Sequence, residues 1–156
     1  MKPQTLSKEQ ILKKLENWCA YRERCESEVK QKLYLLGADE ADKDLYLQYL
    51  RDNNFLNEER FVAAFARGKF NIKSWGRKKI EQELKGKNID EKKIRQSIGQ
   101  LDEGLYFLRL QDLLQKKARN IKESDPFKKK QKLMQFALQK GYESSLIREA
   151  LQSLSL

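Results

Sequence analysis

The chain has 156 residues, 33 Lys and Arg against 23 Asp and Glu, and a net charge of +10, with a pI of about 9.5 and a mean hydropathy of −0.85. It contains no histidine, which excludes Ser-His and Cys-His nucleophilic sites; with only Cys19 and Cys25 present, it also leaves no zinc set and no disulfide framework. Two prolines, many Leu, Lys, Glu, Gln and Ala residues, and no strand-type alternation predict an all-α protein, and its periodic leucines and aromatics argue against disorder.

Ser7 and Gln10 form a capping box at the start of the first expected helix, and Leu6 is placed to staple onto Ile11. Ile11, Leu15, Trp18 and Cys19 mark its apolar face until residues 22–25 interrupt the stripe. A second helix opens at Glu26-Ser27-Glu28, buries Val29, Leu33 and Leu36, and ends at Gly37, where a left-handed residue costs little. Asp39 caps a third helix carrying Leu45, Leu47 and Leu50. Asp39, Glu40, Asp42 and Asp44 answer the dipole of that helix; they are not read as a metal site, because no second carboxylate cluster or histidine completes one.

Asn57 caps a helix expected over 57–70, with Glu58 and Glu59 in its first turn. Phe55, Phe61, Phe65 and Phe70 follow the helical spacing and are expected in the core. The period breaks over 71–76, and further helices are expected over 74–87 and 90–101. Arg77, Lys78 and Lys79 fall in the first turn of the 74–87 helix, where each cation opposes the macrodipole by a few tenths of a kcal/mol, so an anionic partner is the expected reason for them. The last helices are expected over 105–118, over 125–139 behind the start signal Asp125-Pro126, and over 144–154.

One phrase recurs three times: LYLLGADEADKDLYLQYL at 33–50, LKGKNIDEKKIRQSIGQL at 84–101 and ALQKGYESSLIREALQSL at 137–154. Gly37, Asn88 and Gly141 align, 51 and then 53 residues apart, and asparagine is the side chain that best replaces glycine in the left-handed region. The same alignment matches Leu47 and Leu50 to Ile98 and Leu101 and to Leu151 and Leu154, with Leu47, Ile98 and Leu151 expected equally buried. The expectation is three tandem three-helix repeats, 1–53, 54–103 and 104–156, sharing apolar faces in an elongated, curved, solenoid-like chain.

Charge is uneven along the chain: residues 1–66 carry net −1, residues 67–95 net +7 and residues 96–156 net +4. Such stripes point to nucleic acid or an acidic protein surface. The candidate partner- or DNA-binding residues are Arg67, Lys69, Lys73, Trp75, Arg77, Lys78, Lys79, Lys85 and Lys87. A secondary basic cluster comprises Lys116, Lys117, Arg119, Lys128, Lys129 and Lys130. Trp75 lies in a polar loop with no apolar period of its own, so a core anchor and a partner contact are both open. The glycines form no phosphate-cradling pattern, and no spacing suggests catalysis, so a non-enzymatic protein without cofactor or metal is expected. Neither a run of 18 apolar residues nor a secretory leader is found, which predicts a cytoplasmic protein without membrane contact.

Residues 55–89 resemble the RecX family of recombination regulators. They carry Phe55-Leu56-Asn57-Glu58-Glu59-Arg60-Phe61, a basic segment ending in Trp75-Gly76-Arg77, and the phrase Glu83-Leu84-Lys85 followed by Lys87 and Ile89. Arg22-Glu23-Arg24-Cys25, with Glu28-Val29 and Lys32-Leu33 behind it, is similar to the family's first-repeat pattern, and the match extends over residues 10–154. Cys25 stands where the family usually has Ser or Thr, and Asn88 where Gly is usual; both weaken a local helix signal without removing a charged contact. The resemblance implies a cytoplasmic protein that binds the RecA filament on DNA, lies along its groove, and inhibits strand exchange and the associated ATPase and coprotease activities. It places the chain in DNA recombination, DNA repair and the SOS response. The expected partners are the RecA filament and single- or double-stranded DNA, the chain itself being a monomer. Charge alone admits an alternative, an independent helical DNA- or RNA-binding module.

Overall fold

The computed structural model describes residues 5–154. The expected N-terminal segment begins in residues 1–4, which lie outside the described residues, as do 155 and 156. The described residues form nine α-helices and one 3-10 turn, without a strand. They divide into two compact units: those up to Ala64 together with Lys87–Ile89, and Phe65–Gly86 together with those from Asp90 onward.

The first unit contains α1 (Lys8–Tyr21), α2 (Glu26–Leu35), a 3-10 turn (Glu40–Asp42), α3 (Lys43–Asp52) and the first turns of α4 (Glu58–Lys73). Both halves of the expected capping box form: Gln10 donates its N–H to Ser7 Oγ at 3.2 Å, and Ser7 donates its own to Gln10 Oε1 at 2.8 Å. At the start of α2 the Glu28 carboxylate accepts the Cys25 N–H at 3.1 Å, while the Cys25 thiol turns to the Ser27 hydroxyl at 3.2 Å. Glu58, from α4, takes the Glu26 N–H at 2.7 Å, so α2 borrows an anion for its positive end.

Asp39 caps the 3-10 turn, accepting from Ala41 N at 3.1 Å, and α3 begins only at Lys43. The buried face is consequently Tyr46, Leu47 and Leu50, and Leu45, expected inside, is 69% exposed. Leu36 and Trp18 are only half-buried. Ile11, Leu15, Cys19, Val29, Leu33 and these α3 residues form one apolar cluster with Leu56. Arg24 is buried beside it, donating Nε–H to the Trp18 carbonyl at 3.1 Å with its guanidinium 4.1 Å from the Trp18 ring centre.

The second unit holds the rest of α4, then α5 (Arg77–Gly86), α6 (Glu91–Ile98), α7 (Glu103–Asn120), α8 (Pro126–Lys140) and α9 (Ser144–Ser153). Ile80, Leu84, Ile94, Tyr106, Leu110, Leu114, Leu133, Tyr142 and Ile147 are fully buried in it. Phe70 stacks on Tyr106 with ring centres 5.9 Å apart, and Tyr106 meets Tyr142 at a tilt, 5.1 Å apart.

Two expectations fail near the middle of the chain. The polar stretch after Phe70 does not end α4; Asn71, Ile72 and Lys73 are its exposed last turn. Ser74, expected to start the next helix, instead closes α4 in the left-handed region at φ 57°, and Trp75 N–H donates back to the Lys69 carbonyl at 3.1 Å. The repeat positions hold in conformation, since Gly37, Asn88 and Gly141 have φ of 74°, 60° and 100°. Equal burial does not hold. Leu47 and Leu151 are 2% and 7% exposed, but Ile98 is half-buried, because α6 stops at Ile98 and is anchored one turn earlier by Ile94.

Candidate partner-binding surface

The positive end of α5 faces the negative end of α8. Gly76 N–H donates to the Lys140 carbonyl at 2.7 Å and Lys78 N–H to the Gly141 carbonyl at 2.9 Å, so helix donors lacking intrahelical partners meet helix acceptors lacking theirs. A Cβ on Gly76 would lie 2.3 Å from the Gly141 carbonyl carbon, and one on Gly141 would lie 2.4 Å from Lys79 Cβ; only two glycines admit this approach. The expected electrostatic conflict at the start of α5 is therefore absent. Arg77, Lys78 and Lys79 stand beside the carbonyl end of α8, where cations are favourable, and their position does not by itself require an external anion.

Arg77 is drawn furthest into the fold. Its backbone N–H donates to the Tyr106 hydroxyl at 3.0 Å, which donates to Glu143 Oε1 at 2.6 Å, and Arg77 Nη1 donates to Glu143 Oε2 at 2.7 Å. The guanidinium lies 3.9 Å from the Tyr106 ring centre and forms a second ion pair with Glu103 at 2.7 Å. Burial alone would weaken its charge, but Glu103 and Glu143 outweigh that and hold it protonated. Burial, reinforced by the Glu143 carboxylate, pushes the Tyr106 phenol far above its ordinary pKa. Arg77 is thus bound inside the fold and does not present its charge as an outward contact.

The other predicted residues separate into groups. Trp75 is half-buried, edge-on to Phe65 with ring centres 6.4 Å apart. The ammonium groups of Lys69 and Lys79 lie 4.9 and 4.6 Å from its ring centre, so the indole is held between Phe65 and two cations of the same unit. Lys73 and Lys78 are exposed nearby in sequence, and the Lys73 carbonyl accepts from Lys140 Nζ at 3.3 Å. Arg67 is exposed but lies two residues from Lys69, on a different side of α4. Lys85 pairs with Glu81 at 3.0 Å, and Lys87 belongs to the first unit, 3.9 Å from Glu28. A groove of about 530 Å³ between α5 and α8 carries Lys78, Lys79 and Lys85, with Glu81 and Glu83 among them.

The secondary cluster is also divided. Lys116 pairs with Asp112 at 3.0 Å, Lys117 lies 4.8 Å from the Phe136 ring centre, and Arg119 is exposed at the end of α7. Lys128, Lys129 and Lys130 are the third to fifth residues of α8, behind the Asp125 cap. Sequence reasoning missed Tyr106, Arg109, Lys140, Tyr142 and Glu143. Arg109 Nη1 caps the end of α4, donating to the Asn71 carbonyl at 3.1 Å, and Tyr142 donates its hydroxyl to the Ser74 carbonyl at 2.9 Å. The one available signal was the spacing of Tyr106 with Leu110 and Leu114, which placed its ring on a buried face without indicating what its hydroxyl would hold. No helix among the described residues is long and apolar enough to cross a membrane.

Comparison with known proteins agrees with this arrangement of helices. The family model described as the second three-helix domain of RecX matches residues 57–98, and that of the third matches 106–151. A curated relative from Vibrio campbellii (strain ATCC BAA-1116), named regulatory protein RecX, is 30% identical over 130 residues, covering 83% of this chain and 82% of its own. A relative of the same name from Clostridium botulinum (strain Alaska E43 / Type E3) is 30% identical over 131 residues, and this chain spans only 61% of its length. The crystal structure of RecX from Lactobacillus salivarius superposes with a TM-score of 0.83 at 23% identity, covering 94% of this chain and 95% of that one. With two repeats matched in order and the fold shared along nearly its whole length, the chain belongs to the RecX family.

Proposed function

We propose that this chain is a cytoplasmic, monomeric, non-enzymatic regulator that binds the RecA–DNA filament and inhibits strand exchange and the associated ATPase and coprotease activities. In this reading its three repeats, 1–53, 54–103 and 104–156, carry the contacts, and the middle one faces the filament or its DNA. The observation that carries it is the array around Trp75. Once Arg77, Lys85 and Lys87 are assigned to pairs within the protein, Lys69 and Lys79 remain on one half-buried indole, with Lys73 and Lys78 exposed within three residues of it in sequence. Flexible ammonium groups around a fixed ring suit phosphates and carboxylates alike.

The test replaces Lys69, Lys78 and Lys79 together with Gln. Binding to bare DNA and to a preformed RecA filament is then measured across a salt series, alongside strand exchange. If each lysine neutralises a phosphate, the slope of log K against log[salt] flattens by roughly 2 to 3. If the lysines meet an acidic RecA surface, bare-DNA binding changes little while inhibition falls. Equal affinity for bare DNA and filament would favour the independent nucleic-acid module. Unchanged binding and unchanged inhibition would reduce the array to a solvated face and reject the proposal.

A further inference from the structure

The groove between α8 and α9 lies within the second unit and shares no residue with the Trp75 array. Its volume is about 840 Å³. Among the described residues, Lys128, Lys130, Lys132 and Arg148 line it with Phe127, Met134 and Leu151, the remaining lining residues are glutamines, and none of these carries a carboxylate. Lys132 is answered by Glu123 at 3.3 Å. Lys128, Lys130 and Arg148 are exposed. Phe127 is 68% exposed, directly after the proline that opens α8, a large apolar side chain that the core does not use.

We infer that this groove is a docking site for an acidic amphipathic peptide segment of a partner protein. Charge complementarity chooses the sign of the occupant: a rim of cations, with no acid among the described lining residues, attracts carboxylates and rejects basic segments. The apolar side chains choose its class. A single strand of nucleic acid stacks its bases on aromatic rings, and among the described lining residues Phe127 alone offers one; the aliphatic floor of Met134 and Leu151 suits instead one face of a peptide helix that buries leucine-like side chains, to whose shape a thioether adapts. The glutamines between the cations supply neutral donors and acceptors to the polar side chains of that helix. The inference goes beyond the filament-binding proposal and does not depend on it.

The probe is a labelled 18-residue synthetic peptide with Glu on one helical face and Leu on the other, titrated by fluorescence anisotropy with the full chain. A scrambled peptide of identical composition, a Gln-for-Glu peptide and a labelled 18-nucleotide oligo-dT serve as comparison arms. The amphipathic peptide is expected to bind at least tenfold tighter than either peptide control. Lys130→Glu combined with Arg148→Glu, both at exposed positions, should weaken it tenfold or more, and Phe127→Ala should weaken it severalfold, with circular dichroism and melting preserved. Lys69→Gln with Lys79→Gln should leave peptide binding intact, which separates this site from the Trp75 array. Equal binding of amphipathic and scrambled peptides, or no loss in the folded charge-reversal variant, would overturn the inference. So would loss of oligo-dT binding alone in that variant, which would make the groove a nucleic-acid site.

Discussion

Replacing Arg77 with Gln tests whether the middle basic segment is structural or merely displayed. A cation at an isolated helix N-terminus weakens that helix, so its removal would leave the protein as stable as before or slightly more so. The geometry predicts the reverse. The Arg77 and Glu143 side chains are 18% and 25% exposed and meet at 2.7 Å, a charged hydrogen bond worth about 1.5 to 3 kcal/mol. The guanidinium contact with the Tyr106 ring adds about 0.5 to 2 kcal/mol, and the pair with Glu103, whose side chain is 79% exposed, adds little after solvent screening. Arg77→Gln should therefore cost about 2 to 4 kcal/mol, read as a lower urea midpoint at unchanged m value. A double-mutant cycle with Glu143→Gln should show coupling above about 1 kcal/mol, because both changes remove the same bond. Lys78→Gln, at the very next residue but exposed, should move stability by less than about 0.5 kcal/mol. An Arg77→Gln variant as stable as the parent, or a cycle with no coupling, would refute the reasoning.

Gly76→Ala should destabilise by about 3 kcal/mol or prevent folding, since the added methyl lies 2.3 Å from backbone; a melting temperature equal to the parent's would show that α5 and α8 separate at no cost. Leu47→Ala should cost roughly 2 to 5 kcal/mol in denaturant unfolding and Leu45→Ala close to nothing, so equal losses would contradict the assignment of the α3 face. Burial pushes the Cys19 thiol up to about 11 and raises that of Cys25, so neither should react with a thiol reagent at pH 8 until urea unfolds the chain; a Cys19→Ser, Cys25→Ser double variant that keeps partner binding would complete the case, and prompt native labelling would defeat it. At Glu28 burial raises the carboxyl pKa, but the Cys25 N–H, Lys87 and Arg22 outweigh it and hold the group below its ordinary value. That stabilisation is complete above the unfolded carboxylate pKa of about 4.3 and is lost as pH falls through the lowered folded value, so the parent should lose melting temperature more steeply with acid than Glu28→Gln; parallel acid profiles would exclude it.

The legible parts of the fold were local ones. A capping box closes within four residues, and Asp125-Pro126 sets a cap and a first helical φ at once, so Ser7 and Asp125 were readable from sequence spacing. The left-handed residues at 37, 88 and 141 were readable because few residue types tolerate that conformation and the surrounding phrase repeats. The end of α4 was not readable. A polar last turn looks like a loop in sequence, and Ser74 adopts its unusual φ with help from Arg109 and Tyr142, which are 35 and 68 residues away. The buried face of α3 was misplaced for a related reason: the 3-10 turn behind Asp39 delays the helix, so Tyr46, not Leu45, turns inward.

The candidate surface was legible as a composition but not as a geometry. Counting charges located the excess in residues 67–95, yet a count weights an arginine held between two glutamates the same as a lysine open to solvent. What separates them is the identity of the neighbouring helix end. A lone helix start repels Arg77, Lys78 and Lys79, but the same start set against the carbonyl end of α8 welcomes them, and only a structure reveals that partner. The internal demand is met largely by Arg77, which reaches Glu143 and Tyr106, and by Lys140, which reaches the Lys73 carbonyl. Lys69 and Lys79 instead hold the Trp75 ring, a weaker commitment that leaves their ammonium donors available to an oxygen acceptor. Fixing the ring while leaving the donors uncommitted lowers the ordering cost of an anionic contact, which is why the site proposal rests on Trp75 and its two lysines and not on the total charge.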